Sequence, residues 1–396
     1  MRRGICRLNI PEVASQMNSL FYISHSQLPS VAANSVHVMK MAQAFARTGM
    51  DVTLVAMPAD PPVDQDAIYA HYAVSPVFGL SLIKWPTGRA RMIRYILSAL
   101  WNARRKRADV IYTRLPRAAN FAEFFGWRAV VELHQPESLR TMRAYLRTAR
   151  RPLIVVITEA LRQQVIADLE CDPNSVIVAP DGADPIPENT LPALPPVAAG
   201  RIRVGFLGHL YEGKGMEVIS FIAPLCPWAD FEIVGGTEAD IAHWKAQIGD
   251  IPNLCFRGHV PHSQTAGYLK SFDVALLPNQ DFVGTAESKT QNISQWTSPL
   301  KAFEYMAAGL PIVASDQPNL REVLHHDMNA LLCKPDDMDG WCNALMRLRD
   351  DHDLRTRLGQ TGGHLFDERY SWEARARRLS DLIRSHHAKG AGRDRP

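Results

Sequence analysis

Short apolar runs alternate with helix-like stretches along most of this 396-residue chain. The runs are rich in Val, Ile and Leu and are nearly continuous, which is typical of strands buried on both faces of a parallel sheet. The expected strands are 20–24, 52–56, 110–113, 129–133, 153–158, 203–207, 231–234, 254–257, 274–277, 311–314 and 330–333. With helices between them, these strands predict an α/β protein with doubly wound sheets.

The proline-rich stretch PIPENTLPALPPVAAG, residues 185–200, interrupts this pattern and shows no amphipathic period. We interpret it as a linker between an N-terminal domain, residues 17–184, and a C-terminal domain, residues 201–370. Residues 371–386 are expected to form a helix that crosses back to the N-terminal domain. Two Rossmann-like domains arranged in this way leave a cleft at the carboxyl ends of their strands, where ligands bind.

The two ends of the chain are expected to lie outside the fold. Residues 1–16 carry basic residues but no apolar signal-peptide core, so we predict a disordered extension, with Met17 as an alternative start. Residues 387–396 are polar and are predicted to be a disordered tail. No stretch approaches roughly 18 apolar residues, and the six cysteines form no CxxC pair, so the sequence predicts a cytoplasmic protein without a transmembrane helix, a zinc site or a disulfide framework.

The segment RVGFLGHLYEGKG, residues 203–215, runs from a strand through a glycine-bearing loop to a helix. The glycines at 208, 213 and 215 allow close approach of a ligand, and the helix start and Lys214 favour an anion. The segment is neither a GxGxxG nor a Walker A motif, which weakens dehydrogenase and P-loop interpretations. An ordinary strand-to-helix turn with a solvated lysine remains the alternative.

The segment TSPLKAFEYMAAGLPIVAS, residues 297–315, contains a second helix start. Ser298 is a candidate N-cap, and the backbone N–H groups of Leu300 and Lys301 are expected to be open to a phosphate because no capping-box glutamate is present. Glu304 could accept both hydroxyls of a ribose. The alternative is a well-capped amphipathic helix with a surface glutamate.

These segments resemble the retaining glycosyltransferases of family four, in the Ser-Pro-Leu-Lys variant of the donor-site motif. The resemblance extends from about residue 20 to 385 and is strongest over 200–335. The matching pieces, in order, are GHLYEGKG (208–215), FRGHV (256–260), FDVALLP (272–278), SPLKAFEYMAAGLPIVAS (298–315) and NALLCKPDD (329–337). The family implies the GT-B fold, in which two Rossmann-like domains face each other across a cleft, and transfer of a sugar from a nucleotide diphosphate donor.

The resemblance also implies the donor-binding residues of this chain, which are Gly208, His209, Lys214, Val260, Ser298, Leu300, Lys301 and Glu304. Lys214 would contact the diphosphate together with the backbone N–H groups of Leu300 and Lys301. Glu304 would hold the ribose, and Val260 would lie against the base through its backbone.

In the N-terminal half, the segment VVELHQPES, residues 130–138, looks like the one that bears the active-site histidine of the family. His134 would then lie near the donor sugar and form the catalytic pair with Lys214. Asn34 and Ser35 would lie near the donor phosphate or the acceptor. Without the resemblance, a single histidine at a strand end is more often structural.

Two positions depart from the family pattern. His209 stands where an arginine is usual, and a histidine matches a guanidinium only if an anion keeps it protonated. Otherwise Lys214 carries more of the charge. Trp296 stands where the first of two paired glutamates is usual, which leaves the identity of the donor sugar open.

The implied reaction needs no metal and no cofactor beyond the nucleotide sugar. Negative charge develops on the β-phosphate as the sugar departs, and a lysine with helix N-termini can stabilise that charge. No His/carboxylate metal cluster is identified in the sequence. The family implies a front-face route, in which the departing phosphate helps to deprotonate the acceptor.

The segment 84–151 contains sixteen basic and four acidic residues. Within it, RMIRYILSALWNARRKR, residues 91–107, has an apolar side and basic ends. This pattern favours either a core-packed surface helix or attachment to an anionic membrane surface. Membrane attachment would suit a lipid-linked or saccharide acceptor in bacterial cell-surface polysaccharide or lipopolysaccharide synthesis. Nucleic acid is not expected as a partner because no nucleic-acid-binding module is present.

Two other functions remain open. One is a sugar-nucleotide-binding scaffold that has lost activity, and the other is a nucleotide-sugar epimerase of related fold. The retention of Lys214, Glu304 and His134 favours a working transferase.

Overall fold

The computed structural model describes residues 18–30, 32–280 and 298–391, apart from the side chains of residues 262 and 387–391. The extension predicted over residues 1–16, the alternative start at Met17 and the departure at Trp296 all lie outside the described residues.

The N-terminal half contains a seven-stranded sheet in which every paired strand is parallel to its neighbour. Its strands are β1 (Ser19–Leu28), β2 (Asp51–Pro58), β3 (Gly79–Leu82), β4 (Val110–Thr113), β5 (Arg128–Leu133), β6 (Leu153–Val156) and β7 (Val176–Val178). Their order is β3-β2-β1-β4-β5-β6-β7. The two edge strands, β3 and β7, were not predicted because each is short and neither is fully buried.

The C-terminal half contains a second parallel sheet, of six strands. These are β8 (Ile202–Leu207), β9 (Ala229–Val234), β10 (Leu254–Gly258), β11 (Val274–Leu277), β12 (Ile312–Ser315) and β13 (Ala330–Cys333), in the order β10-β9-β8-β11-β12-β13. All six were predicted from their apolar runs. The predicted α/β class with two doubly wound sheets is confirmed.

Helices connect the strands and cover both faces of each sheet. Those of the N-terminal half are α1 (Ala33–Arg47), α2 (Gln65–His71), α3 (Arg91–Arg105), α4 (Pro116–Phe124), α5 (Leu139–Thr148) and α6 (Glu159–Leu169). The C-terminal half contributes α7 (Met216–Leu225), α8 (Glu238–Ile248), α9 (His262–Leu269), α10 (Leu300–Ala307), α11 (Pro318–Arg321), α12 (Met338–Asp350) and α13 (His352–Leu365). A π-helical turn at Phe366–Tyr370 leads to the last helix, α14 (Trp372–Ala391).

The central strand β1 shows why its segment Leu20–Ile23 is apolar at every position. Leu20 and Tyr22 lie in one core, which also contains residues of α1, whereas Phe21 and Ile23 lie in a second core beneath α3 to α6. Because successive side chains of a strand point to opposite faces, a sheet covered on both faces needs an unbroken apolar run.

The last helix belongs to the core of the N-terminal half. Trp372, Ala376 and Leu379 of α14 lie in the same hydrophobic core as α1. Its backbone helix continues to Ala391, into the tail that was predicted to be disordered. Ala183 and Ser371, which lie where the chain leaves and re-enters the N-terminal half, pair as a parallel bridge.

Candidate active site

Two contacts join the carboxyl ends of the two sheets. The backbone N–H of Asp181, just after β7, donates to the Ser298 hydroxyl at 3.2 Å. The Glu322 carboxylate, just after α11, accepts from Glu159 and Ala160 in the first turn of α6, at 2.9 and 3.3 Å. These contacts close one side of the cleft between the halves, so residues at both sets of strand ends face a common space.

Ser298 does not cap the helix as predicted. Helix α10 begins after Pro299 without a side-chain cap, because the Ser298 hydroxyl is engaged by Asp181 instead. The backbone N–H of Leu300, which was expected to be open to a phosphate, donates to the Ser298 carbonyl at 2.9 Å. The start of α10 therefore offers fewer open donors than the sequence suggested, and Lys301 becomes its main positive group.

The glycine loop after β8 is held tightly by its neighbours. Gly208 donates its N–H to the Val234 carbonyl at 2.9 Å, and Gly235 crosses directly over it. A Cβ atom at Gly235, which has φ +122°, would lie 2.0 Å from the Gly208 carbonyl oxygen. Only glycine permits this approach.

The second part of that loop is already bound to a carboxylate. Glu217, in the first turn of α7, accepts from the N–H groups of Gly213 and Gly215 at 2.8 and 3.2 Å. The sequence predicted that these glycines and the helix start would attract an anion. Because Glu217 occupies two of those donors, the attraction must come mainly from the lysine side chains.

Three basic side chains converge next to these two loops. Burial lowers the pKa of Lys214, and the nearby charge of Lys301 lowers it further. Burial likewise lowers the pKa of His209, again with contributions from Lys301 and Lys214. The His209 ring stacks on Tyr211, with centroids 4.9 Å apart. The lowered pKa leaves His209 uncharged near neutral pH, but Lys214 and Lys301 repel each other, and an anionic ligand would relieve that repulsion.

Glu304 is paired with Lys301 rather than exposed to the cleft alone. The Lys301 ammonium donates to both carboxylate oxygens, at 3.0 and 2.9 Å. A ribose at this carboxylate would share it with the lysine. Val260, two residues beyond the end of β10, is half-buried and packs against the core that contains α10.

His134 immediately follows β5 and lies at the edge of a buried charged cluster. Its Nε2 atom is 2.6 Å from Glu132 Oε1, and its ring meets the His37 ring edge-on with centroids 4.7 Å apart. Burial lowers the pKa of His134, and the opposing influence of Asp181 does not reverse this. The ring is partly exposed, at 17 % of its side-chain area, so a ligand in the cleft can reach it.

The four side chains of His37, Glu132, His134 and Asp181 each place one ligand atom within 4.8 Å of the others. This cluster was not predicted from the sequence. The fold brings together residues that are up to about 150 positions apart. A divalent cation fits them poorly, since the Arg375 guanidinium lies 2.9 Å from the Glu132 oxygen that both histidines approach.

The two polar residues at the start of α1 have different environments. Ser35 is fully buried, and its hydroxyl donates to the carbonyl oxygens of Ser30 and Ala32 at 2.8 and 2.7 Å. The Ser35 side chain thus holds the loop before α1 together, and its place near the phosphate or acceptor stays a prediction. Asn34 is exposed and remains a candidate.

A groove of about 490 Å³ opens at the carboxyl ends of β1, β2 and β3. Its polar lining comes from His25, Gln27, Asp60 and Lys84, and its apolar lining includes Trp85. An indole with hydrogen-bonding side chains around it can hold a saccharide ring. Sequence analysis did not identify this groove.

Residues 35–186 match the family described as Glycosyltransferase Family 4, and residues 201–351 match the family described as Glycosyl transferases group 1. The two matches cover both α/β halves and stop at the proline-rich stretch between them. Both halves of the chain therefore match glycosyltransferase families.

This glycosyltransferase is similar along nearly its whole length to a curated relative and to solved structures. It is 25 % identical to a phosphatidyl-myo-inositol mannosyltransferase of Mycobacterium leprae, over 90 % of this chain and 93 % of the relative. The structure of Anabaena Alr3699/HepE in complex with UDP superposes with a TM-score of 0.68 at 15 % identity, covering 93 % of this chain and all of that one. Sucrose-phosphate synthase from Thermosynechococcus elongatus gives 0.67 at 17 % identity, covering 94 % of this chain and all of that one. The expected GT-B fold is confirmed.

Sequence analysis of this glycosyltransferase missed the partners of His134. His37 lies in an otherwise apolar face of α1, Glu132 interrupts the apolar strand β5, and Arg375 is 2 % exposed in α14. Charged residues at positions where the pattern predicts core were the available signal, because such groups are buried only when they are paired. No helix among the described residues has the length and apolar character needed to cross a membrane.

Proposed function

We propose that this glycosyltransferase transfers a sugar, with retention of anomeric configuration, from a nucleotide diphosphate donor to a saccharide or lipid-linked acceptor. The observation that carries the proposal is the hydrogen bond between Asp181 and Ser298. Asp181 also faces the histidine cluster, and Ser298 leads into the helix that bears Lys301. His134, in the N-terminal half, and the site of Lys214 and Lys301, in the C-terminal half, thus lie on either side of this hydrogen bond. The UDP complex of the structural relative supports a nucleoside diphosphate as the bound anion.

The cationic site suits the chemistry of this transfer. When the bond from the sugar to the diphosphate breaks, the β-phosphate gains negative charge. Lys214 and Lys301 are held close enough to depress the pKa of Lys214 before the donor binds, so charge developing between them is stabilised without rearrangement. We therefore propose metal-independent catalysis, in which the lysines supply the charge that a metal ion provides elsewhere. His134, at the edge of the cleft, contacts the donor sugar.

The direct test is a screen of UDP-, GDP- and ADP-sugars by thermal shift and by release of the nucleoside diphosphate, with and without EDTA. We expect one nucleotide family to raise the unfolding temperature, with slow diphosphate release that EDTA leaves unchanged. Stabilisation without release, even with lipid acceptor extracts, would indicate a binding scaffold. Conversion of one nucleotide sugar into its epimer would indicate an epimerase. Failure of every nucleotide to bind would exclude the proposed donor site.

For the acceptor, we propose the groove beside Trp85 and an anionic membrane surface under α3. Ile96 and Leu100 of α3 are buried in the core, but Leu97 and Trp101 are 40 % and 63 % exposed. The Arg105 guanidinium lies 4.7 Å above the Trp101 ring. Exposed apolar side chains surrounded by arginines are suited to the headgroup region of anionic lipids. The name of the mycobacterial relative, which specifies a phosphatidyl lipid, supports a lipid-linked acceptor, with the protein on the cytoplasmic face of the membrane and acting in bacterial cell-surface polysaccharide or glycolipid synthesis.

Flotation with vesicles tests the membrane surface. We expect the protein to bind vesicles containing phosphatidylglycerol and not those of phosphatidylcholine alone. Replacing both Leu97→Asn and Trp101→Ala should weaken binding by about tenfold or more, because burying each large apolar side chain contributes roughly 1.5–3 kcal/mol. Phe221→Asn is the matched control, since Phe221 is 56 % exposed on α7 of the other half. Equal losses in the two variants would contradict a specific role for α3.

A further inference from the structure

Behind His134 lies a buried cluster to which four parts of the chain contribute. His37 comes from α1, Glu132 from β5, Asp181 from the loop after β7, and Arg375 from α14. These four residues are each no more than 5 % exposed. Packing a single histidine does not require four buried ionisable side chains, so the cluster calls for another explanation.

Glu132 is the centre of this cluster. Its Oε1 atom lies 2.9 Å from His37 Nε2, 2.6 Å from His134 Nε2 and 2.9 Å from a guanidinium nitrogen of Arg375. Its other oxygen accepts the Tyr112 hydroxyl. Burial alone would raise the pKa of Glu132, but Arg375 and the histidines hold it well below its usual range. The carboxylate is therefore ionised and fixed on both oxygens.

Arg375 also controls the second carboxylate of the cluster. Its guanidinium donates to the carbonyl oxygens of Ala179 and Pro180, at 3.1 and 2.9 Å, in the loop that carries Asp181. Asp181 in turn lies 3.1 Å from His37 Nδ1 and 3.9 Å from His134 Nδ1. One arginine from the end of the chain thus fixes both acidic groups that face His134.

The cluster surrounds His134 with opposing charges. Both nitrogens of His37 face carboxylate oxygens, whereas His134 has one such contact below 3.5 Å. Burial lowers the pKa of His134, and Arg114 and His37 lower it further against the opposing influence of Asp181 and Glu132. The surroundings of His134 therefore favour its uncharged ring.

We propose that His37 and Arg375 are positioning residues for His134. They hold the carboxylates of Glu132 and Asp181, which orient the His134 ring. The surroundings of His134 are therefore complete only when α14 packs against the N-terminal half. The proposal rests on the proposed function, because it assumes that His134 contacts the donor sugar. Beyond that function, the orientation of the His134 ring depends on Arg375 of the last helix.

The pH behaviour of His134 tests this arrangement without any assay of catalysis. His134 is faced by the carboxylates of Glu132 and Asp181, by the His37 ring and by the Arg114 guanidinium. Replacing His37 by glutamine removes one of the groups that lower the pKa of His134. The protonation midpoint of His134 should then rise by up to about one pH unit, the size of shift expected for a nearby like charge.

The experiment compares the wild-type protein with His37→Gln by nitrogen NMR of the histidine side chains. A rise in the His134 midpoint is the expected result, and an unchanged midpoint would overturn the proposed influence of His37 on His134. A sharp increase in stability with Zn²⁺ that is lost in His37→Gln would also overturn it, since the cluster would then be a metal site. These readouts do not depend on whether the donor has been identified.

Kinetics test the role of Arg375. Arg375→Lys, which keeps the charge but not the fork of donors, should lower kcat for diphosphate release by about tenfold or more, since small misplacements of catalytic groups have effects of this size. The KM for the donor should change little. Arg378→Gln is the control, because Arg378 is an exposed arginine of α14 that donates to the Val178 carbonyl. Equal kcat values for Arg375→Lys and the wild type would reject the positioning role, even in a fully active transferase.

Discussion

Replacing Lys214 by alanine is expected to lower kcat for release of the nucleoside diphosphate by on the order of 10²- to 10³-fold. Lys214 lies in the glycine loop after β8, half-buried and close enough to Lys301 that the two charges repel each other. Lys301 is already paired with Glu304, so removing Lys214 takes away much of the positive charge available to the leaving group as it becomes more negative. Steady-state kinetics with the donor found in the nucleotide screen would measure the effect.

Two variants serve as controls for this result. Lys214→Arg keeps the charge in a bulkier side chain and should retain more activity than the alanine variant. Lys270→Ala removes an exposed lysine at the end of α9 and should leave kcat unchanged. If Lys214→Ala turns over the donor at the wild-type rate, the diphosphate does not bind where we propose.

The largest effect on folding is expected from Gly235→Ala. The Cβ atom would lie 2.0 Å from the Gly208 carbonyl oxygen, which belongs to backbone and cannot move aside cheaply. The positive φ of +122° adds a further cost, about 1–3 kcal/mol for a non-glycine residue held there. We expect the free energy of unfolding to fall by roughly 4 kcal/mol or more. Urea denaturation followed by circular dichroism would measure it.

A second glycine separates the clash from the backbone strain. Gly249, at the end of α8, also has a positive φ, of +68°, but a Cβ atom there would meet nothing within 4 Å. Gly249→Ala should therefore lose only the strain, about 1–3 kcal/mol. Comparable losses in the two variants would show that the close approach of Gly235 to the donor loop has no energetic importance.

The strands of this protein could be predicted from sequence because their physical cause is local. A run of Val, Ile and Leu is needed wherever a strand is covered on both faces, so all six strands of the C-terminal sheet were identified. Strands β3 and β7 were not, because β3 contains a glycine and a serine among its four residues and β7 is only three residues long. Such short or interrupted apolar runs leave a weaker pattern.

The candidate site was likewise only partly predictable from the sequence. Lys214, Glu304 and His134 could be chosen because each lies in a contiguous motif. Their partners could not, since Glu132 and Arg375 are 243 positions apart in sequence. The sequence also did not show which polar groups already have hydrogen-bond partners. Glu217 accepts from the Gly213 N–H, and Asp181 donates to the Ser298 hydroxyl, so two groups that were expected to be open to a ligand are occupied. Pairing decides which polar groups remain available, and pairing is set by tertiary structure.

The parallel bridge between Ala183 and Ser371 has a consequence for how such a protein can be recombined. In chain topology, the C-terminal half is an insert within the other half, since residues on both sides of it share a single core. The two junctions of the insert lie next to each other in space. Exchanging residues 184–370 as one piece would therefore replace the C-terminal half whole, whereas a single crossover at the proline-rich stretch would separate α14 and its Arg375 from the N-terminal core against which they pack.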